Sequence, residues 1–122
     1  MKTKAIKHSQ YETGEWRQEE AETCNITIYC GGDIQIAERI CREACYPKGL
    51  CVTLEPTNYI FAGGTEAGFK VGLINYPPFP TTGVTLLQKA VDLGKKLQEA
   101  NYQWSFTIVT QHTTYFFSRR TK

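Results

Sequence analysis

The sequence contains no long apolar run. Residues 1–23 hold no hydrophobic stretch, and nowhere do the roughly 20 consecutive apolar residues of a membrane-spanning helix occur. We therefore expect neither a signal peptide nor a transmembrane segment. Five cysteines, an odd number with no secretory segment before them, favour reduced thiols. These features predict a cytoplasmic protein.

A strong excess of either charge is also missing. The chain has 14 Lys and Arg residues against 12 Asp and Glu residues, a balance that argues against nucleic-acid or membrane binding. From Gly63 to Lys122, however, seven basic residues face three acidic ones, and the chain ends with Arg119, Arg120 and Lys122. This cationic end is either a solvated tail or a patch that attracts an anionic ligand.

Candidates for catalysis or metal binding are few. The carboxylates are scattered, with no close pair for general acid–base work. His8 and His112 have no second ligand at metal-binding spacing. Cys41 and Cys45 share one face of an amphipathic segment, where thiols pack as small hydrophobic groups. We assign no catalytic residue, metal or cofactor. A small enzyme that uses a thiol or His112 is kept as an alternative.

Residues 1–23 are polar and charged throughout. We predict a flexible N-terminal arm, with Trp16 as the residue able to anchor it to a surface. The alternative is an edge strand added to a sheet. Residues 24–122 would form a single domain.

Hydrophobic periodicity divides this domain into strands and helices. Helical spacing predicts one helix over 34–46 and a second that starts at Thr81 or Thr82 and ends near Ala100. Pro56 would interrupt a strand because proline lacks the N–H that a central strand needs, and the glycine-rich segment 62–68 is predicted as a turn. Alternation with a period of two predicts the following strands: 25–30, 50–54, 58–61, 69–75, 104–110 and 113–118.

This order of elements is that of a split β-α-β arrangement. It predicts an α+β fold, the ferredoxin-like two-layer sandwich, in which an antiparallel sheet carries two helices on one face and gains an extra C-terminal strand. Aromatic side chains would occupy the other face, with these candidates: Tyr29, Tyr59, Phe61, Phe69 and Phe117. An uncovered aromatic face predicts a homo-oligomer, dimer or higher, or a protein-binding surface.

Gly31 and Gly32 lie between the first strand and the first helix. Glycines allow close approach of a ligand to the backbone, and a helix start attracts anions. Asp33, however, is a good N-cap and would occupy the position that an anion takes. The segment is either a structural turn or an anion-binding site.

Several amides and aromatic rings lie at the ends of predicted elements. Rings beside amides suit a flat, purine-like ligand, and Arg119 and Arg120 could hold its phosphates. The alternative is that prolines and rings pack the loops against the core. The candidate loop residues are Asn58, Tyr59, Asn75, Tyr76 and Phe79.

From Asn25 to Arg120, the segments GGD, GLCVT, INYPPFP and FFSRR resemble small accessory proteins of tailed bacteriophages. The resemblance implies no particular catalytic or binding residue. It implies action in the host-cell cytoplasm, since some such proteins block host defence by binding a host protein or sequestering a nucleotide signal.

Residues and resemblance together predict a non-enzymatic, phage-encoded counter-defence protein that captures a small anionic, nucleotide-like ligand. The first alternative is an inhibitor that binds a host protein through the aromatic sheet face or an edge strand.

Overall fold

The computed structural model describes residues 3–6, 16–46 and 49–120. Within these residues the chain forms two helices and seven strands. In chain order they are β1 (Thr3–Ile6), β2 (Gln18–Ala21), β3 (Asn25–Gly31), α1 (Ile34–Cys45), β4 (Val52–Phe61), β5 (Gly64–Ile74), α2 (Gly83–Ala100), β6 (Ser105–Val109) and β7 (Thr114–Ser118).

Five of the described strands form one sheet in the order β4-β5-β3-β6-β7, and each neighbouring pair is antiparallel. Helix α1 connects β3 to β4 and helix α2 connects β5 to β6, so each helix joins two strands that are separated by one other strand. This topology confirms the predicted α+β fold, a ferredoxin-like two-layer sandwich with β7 added at one edge.

The core lies between the helices and one face of the sheet. Alternate residues of β3, β5 and β6 face each other in register, as at Ile28, which lies opposite Val71 and Ile108. Both helices bury their apolar stripe against this face. The buried core residues are Ile26, Ile28, Cys30, Ala37, Ile40, Cys41, Phe69, Val71, Leu73, Leu86, Ala90, Leu93, Leu97, Phe106 and Ile108.

The two helices begin as the sequence predicts. Asp33 caps α1 by accepting a hydrogen bond from the Gln35 N–H, and Thr82 caps α2 by accepting one from the Thr85 N–H. Neither helix in the described residues is long and apolar enough to cross a membrane.

Two of the aromatic residues predicted for the open face lie on the helix side instead. Phe69 is fully buried in the core, and Phe117 is paired with Phe106 and stacks on its ring. Both predictions were wrong because these residues pair with side chains of the core face, Phe69 with Cys30 and Phe117 with Phe106. Tyr29 and Tyr59 do lie on the face that the helices leave open. Tyr29 is opposite Lys70, and Tyr59 is opposite Glu66.

The β4–β5 hairpin corrects the predicted break at Pro56. Strand β4 is continuous through this proline, which is tolerated because β4 is an edge strand of the described sheet. The turn consists of Ala62 and Gly63 alone, both at positive φ, as in a tight two-residue hairpin turn. Because β3 ends opposite Gly68, the last four pairs of the hairpin extend beyond β3 as a two-stranded ribbon.

Strands β1 and β2, within the predicted arm, pair with each other in a separate two-stranded sheet. Trp16 is 70% exposed, so this side chain does not anchor the arm. Asn75 instead ties down its end, because its Nδ2 donates to the Glu22 carbonyl and its N–H donates to the Cys24 carbonyl. Much of residues 1–23 lies outside the described residues, so a flexible arm stays a prediction.

Candidate functional site

The nine residues predicted to bind a ligand lie at opposite ends of the sheet. Gly31 ends β3 opposite Gly68, whereas Asn75 follows β5 where Ile74 lies opposite Asn25. Six residues of extended strand separate these ends, a distance of roughly 20 Å. One group is Gly31, Gly32, Asn58, Tyr59, Arg119 and Arg120; the other is Asn75, Tyr76 and Phe79. The structure does not bring the two groups together.

Residues at the Asn75 end contact one another. The Asn75 side chain is buried, and its Oδ1 accepts a hydrogen bond from the Thr81 N–H at 2.9 Å. Tyr76 and Phe79 form a turn, in which the Phe79 N–H donates to the Tyr76 carbonyl and the ring centroids lie 5.6 Å apart. These contacts fix the connection between β5 and α2, and a ligand role for this end stays a prediction.

At the other end, two polar side chains lie directly over Gly31. A Cβ placed on Gly31 would be 2.7 Å from Glu66 Oε2 and 2.9 Å from Gln103 Oε1. Any side chain at this position would therefore displace one or both oxygens. We call the group formed by Gly31, Gly32, Tyr59, Glu66 and Gln103 the glycine corner.

Tyr59 holds the hairpin at the glycine corner. Its ring lies against Gly68, where an added Cβ would meet Tyr59 Cε2 at 2.4 Å. Its hydroxyl donates to the Phe69 carbonyl at 2.7 Å and accepts from the Cys30 N–H at 3.1 Å, so it bridges a cross-strand pair. Burial raises the pKa of Tyr59 to about 12, so this hydroxyl stays protonated at neutral pH.

Gly32 adopts a φ of +120°, and an added Cβ would lie 2.5 Å from Asn101 Oδ1. That oxygen accepts a hydrogen bond from the Asp33 N–H at 2.8 Å, while the Gly32 N–H donates to the Ala67 carbonyl. Two of the backbone donors that an anion would use thus have protein partners. A structural turn is enough to explain these two hydrogen bonds. Anion binding by Gly31 and Gly32 stays a prediction.

Glu66 is the charged group of the corner. Its side chain is exposed, and in the described parts of the chain no Lys or Arg lies within ion-pair distance of it. A carboxylate in this position attracts a cationic or hydrogen-bond-donating ligand. The corner as built therefore repels phosphate groups more than it attracts them.

A cavity of about 410 Å³ lies between α2 and the β6–β7 edge, at the same end of the sheet. Phe106 and Phe117 are stacked with ring centroids 4.9 Å apart, and both line the cavity together with Trp104, which is 56% exposed. The Arg120 guanidinium lies 5.4 Å from the centre of the Trp104 ring. We call this space the Trp104 cavity; its lining residues are Lys95, Gln98, Glu99, Trp104, Phe106, Phe117, Ser118 and Arg119.

Gln103 connects the two features. Its Oε1 lies over Gly31 in the corner. Gln103 also lines a second cavity of about 520 Å³, which shares four lining residues with the first: Gln98, Glu99, Trp104 and Arg119. Of the predicted residues, Arg119 thus lines both cavities. The sequence interpretation missed Glu66, Gln103 and Trp104 as site residues.

Among the described residues, the buried thiols and His112 show no arrangement for catalysis, and His8 lies outside those residues. Burial raises the pKa of Cys30 and of Cys41 to about 11, which keeps both thiols protonated and weakly nucleophilic near neutral pH. His112 lies in the exposed β6–β7 turn, where its N–H donates to the Thr110 hydroxyl. In residues 16–46 and 49–120 no three His, Cys, Asp or Glu side chains are placed to hold a metal ion.

The sequence matches no family model, and comparison with curated proteins gives no match. Two solved structures of phage SAM lyase are similar to the chain in fold. One, in the apo state, has a TM-score of 0.53 at 15% identity and matches over 81% of this chain and 91% of that chain. The other, in complex with S-methyl-5′-thioadenosine, has a TM-score of 0.54 at 15% identity over 81% and 92% of the two chains. The likeness is one of fold. The phage origin of the two similar proteins is consistent with the resemblance found in the sequence.

Proposed function

We propose that this chain binds a nucleoside with a 5′-thio substituent, such as S-adenosylmethionine or methylthioadenosine, at the glycine corner. The observation that carries the proposal is the convergence of Glu66 Oε2 and Gln103 Oε1 over the bare backbone of Gly31. The solved complex of a similarly folded phage protein with S-methyl-5′-thioadenosine supports the choice of ligand class. This class is nucleotide-like, as the sequence predicts, but carries no phosphate.

The charge of Glu66 favours a cationic ligand over an anionic one. S-adenosylmethionine carries a sulfonium, whereas methylthioadenosine has a neutral thioether at the same position. A carboxylate about 4 Å from a cation is worth roughly 4 kcal/mol at an effective dielectric constant near 20. Because Glu66 is exposed, solvent reduces this to about 1 kcal/mol or less, a preference of several-fold for the sulfonium.

The neutral part of the ligand would use the other groups of the corner. The Gln103 amide lies over Gly31 and presents a polar edge to a ribose or an adenine. The Tyr59 ring is held by two hydrogen bonds at its hydroxyl and is therefore a rigid surface for stacking. Arg119 and Arg120, predicted from the sequence to hold phosphates, would take the carboxylate of the methionyl group instead.

Isothermal titration calorimetry with S-adenosylmethionine, methylthioadenosine and ATP tests the proposal. We expect S-adenosylmethionine to bind several-fold more tightly than methylthioadenosine, and ATP to bind least. Glu66→Gln should remove the preference for the sulfonium and retain methylthioadenosine binding. Glu55→Gln is the matched control, because Glu55 lies on the same hairpin but pairs with Lys70 at 3.5 Å.

Two outcomes would overturn the proposal. The first is the absence of binding heat with either thioadenosine ligand. The second is an unchanged ratio of the two affinities in Glu66→Gln, since the carboxylate would then not face the sulfur.

Cleavage of S-adenosylmethionine is a second candidate function. It is favoured by the cross-strand pair of Tyr59 and Glu66 beside Gly31 and by the SAM lyase activity named for the two similar structures. Such a step breaks the C–S bond between the sulfonium and the aminobutyryl chain. The carboxylate oxygen of that chain forms the new bond to the released carbon and closes a lactone, and the sulfur keeps the C–S electron pair and leaves as the neutral thioether methylthioadenosine. Mass spectrometry would detect methylthioadenosine formed by the wild type above the spontaneous rate and not formed by Glu66→Gln. Binding without product formation would leave the chain a binding protein.

A further inference from the structure

The tip of the β4–β5 hairpin is apolar and exposed. Ile60 is 78% exposed and Phe61 is 88% exposed, and they lie beside the two-residue turn. This part of the hairpin extends beyond the end of β3, so no third described strand pairs with it. Two adjacent, large and exposed apolar side chains at the end of a hairpin are a candidate contact surface for another macromolecule.

The Trp104 cavity is a concave surface at the same end of the molecule, with aromatic rings and polar side chains in its lining. Its volume of about 410 Å³ is within the range of pockets that enclose groups the size of a phenyl ring or larger. Phe106, Phe117 and Trp104 provide ring contacts of the kind that aromatic residues prefer. The cavity is therefore large enough for the ring of Phe61 and offers it aromatic contacts.

The hairpin tip belongs to β4 and the cavity to β7, which are the two edge strands of the described sheet. Four interstrand spacings separate these edges, a distance of roughly 19 Å. A tip therefore cannot enter the cavity of its own chain. Any such contact has to come from another molecule.

Charge makes a second copy of this chain the best occupant. Residues 56–67 of the hairpin include Glu66 and no basic residue. Glu55, further from the tip, is paired with Lys70 of the same hairpin and adds no net charge. The cavity is lined by Lys95 and Arg119 against the single acid Glu99. An acidic hairpin with an aromatic tip thus matches a cationic cavity with an aromatic lining, and both are features of the same sequence.

We infer that Phe61 of one copy inserts into the Trp104 cavity of a second copy. The contact is head-to-tail, because it joins the tip of one copy to the cavity of another, and it leaves the first copy with a free cavity and the second with a free tip. Repeated contacts close into a pair that exchanges tips or into a larger ring, or they continue as an open chain. This assigns a specific junction to the homo-oligomer predicted from the sequence, and it does not depend on which ligand the glycine corner binds.

Sedimentation velocity measures the number of chains in the assembly directly. Wild-type protein should sediment as a multiple of the 13.9 kDa chain, whereas Phe61→Ser and Trp104→Ala should each sediment as a single chain. Tyr46→Ser is the matched control, since Tyr46 is 90% exposed and lies at the opposite end of the sheet. Both interface residues are exposed, and circular dichroism should give a wild-type spectrum for each variant.

Mixing the two variants tests the head-to-tail geometry. Phe61→Ser keeps an intact cavity and Trp104→Ala keeps an intact tip, so an equimolar mixture should form a species of two chains and no larger one. A mixture of Phe61→Ser with the double variant Phe61→Ser/Trp104→Ala should stay monomeric. A monomeric wild type, a wild-type mass in either single variant, or a mixture of the two that stays monomeric would each overturn the inference.

Discussion

Replacement of Gly94 by alanine tests the packing beneath the Trp104 cavity. Gly94 lies in α2, and an added Cβ would be 2.4 Å from Cε2 and 2.7 Å from Cδ2 of Phe106. The Phe106 side chain is 4% exposed and its ring is stacked on Phe117, so a displacement of this ring also displaces Phe117. The new methyl group therefore forces a shift of α2 or of both rings.

The change in the free energy of unfolding caused by Gly94→Ala follows from two opposing effects. Overpacking of a filled core costs typically about 1–3 kcal/mol. Alanine in place of glycine stabilises a helix by up to about 1 kcal/mol, because alanine has the higher helix propensity. We expect Gly94→Ala to lower the free energy of unfolding by about 1–2 kcal/mol, and to weaken self-association as the displaced rings narrow the cavity.

Urea denaturation provides the measurement, and the same helix provides the control. Gly83→Ala should be neutral or slightly stabilising, because its Cβ would meet only Cys24 Sγ at an ordinary 3.6 Å. In a Phe106→Leu background the obstructing ring is gone, and Gly94→Ala should then be stabilising, with a coupling energy of about 2 kcal/mol. Equal effects of Gly94→Ala and Gly83→Ala in the wild-type background would refute the reasoning.

Three further predictions concern the glycine corner and the core. Gly32→Ala should cost about 2–4 kcal/mol, since it strains a backbone that only glycine adopts readily and displaces the Asn101 amide; a loss under about 1 kcal/mol in urea denaturation would contradict the geometry. Tyr59→Phe should cost about 1–3 kcal/mol and speed hydrogen exchange of the Cys30 amide, because that N–H loses its acceptor; unchanged exchange would count against the hydrogen bond. The raised pKa values of Cys30 and Cys41, about 11 against 9.0, mean that the folded state holds protons that the unfolded state has lost. Their contribution to stability is therefore complete below pH 9 and is lost as pH rises through about 11, and a flat stability profile between pH 9 and 11 would exclude it.

The fold followed from the sequence where periodicity was strong. Alternation at 25–30 and helical spacing over 34–46 located β3 and α1 closely, and the element order then fixed the topology. The prediction of the hairpin failed because Pro56 was treated as a break in the strand. On an edge strand, a proline can face away from the neighbouring strand, so its missing N–H costs no hydrogen bond of the sheet. The tight turn of the hairpin was also missed, since a glycine-rich segment has no strong preference for one turn length.

The missed site residue Glu66 is a consequence of that hairpin error. Assigned to a turn, it had no defined neighbours; placed in β5, it lies opposite Tyr59 and over Gly31. The grouping of Asn75 with Gly31 failed for a reason that the predicted topology already contained. Gly31 is the last residue of β3 and Asn75 follows β5. These two strands are antiparallel neighbours, so their C-terminal ends lie at opposite ends of the sheet.

The two proposals together give one more prediction, because they meet at Arg119. With Phe61 of one copy in the cavity of the next, Arg119 of the neighbouring copy would lie within about 10 Å of Tyr59, since two residues of extended strand span roughly 7 Å. That arginine would add to the hold of Arg119 and Arg120 of the ligand's own chain on the carboxylate while Glu66 faces the sulfonium, so the site would bind more tightly in the assembly.

Phe61→Ser should then weaken S-adenosylmethionine binding, although Phe61 lies outside the glycine corner. By linkage, the ligand should in turn strengthen wild-type association by the same factor. Calorimetry on the monomeric variant is the decisive measurement. Unchanged affinity would show that the corner is complete within one chain, and that the assembly and the site are independent features of the molecule.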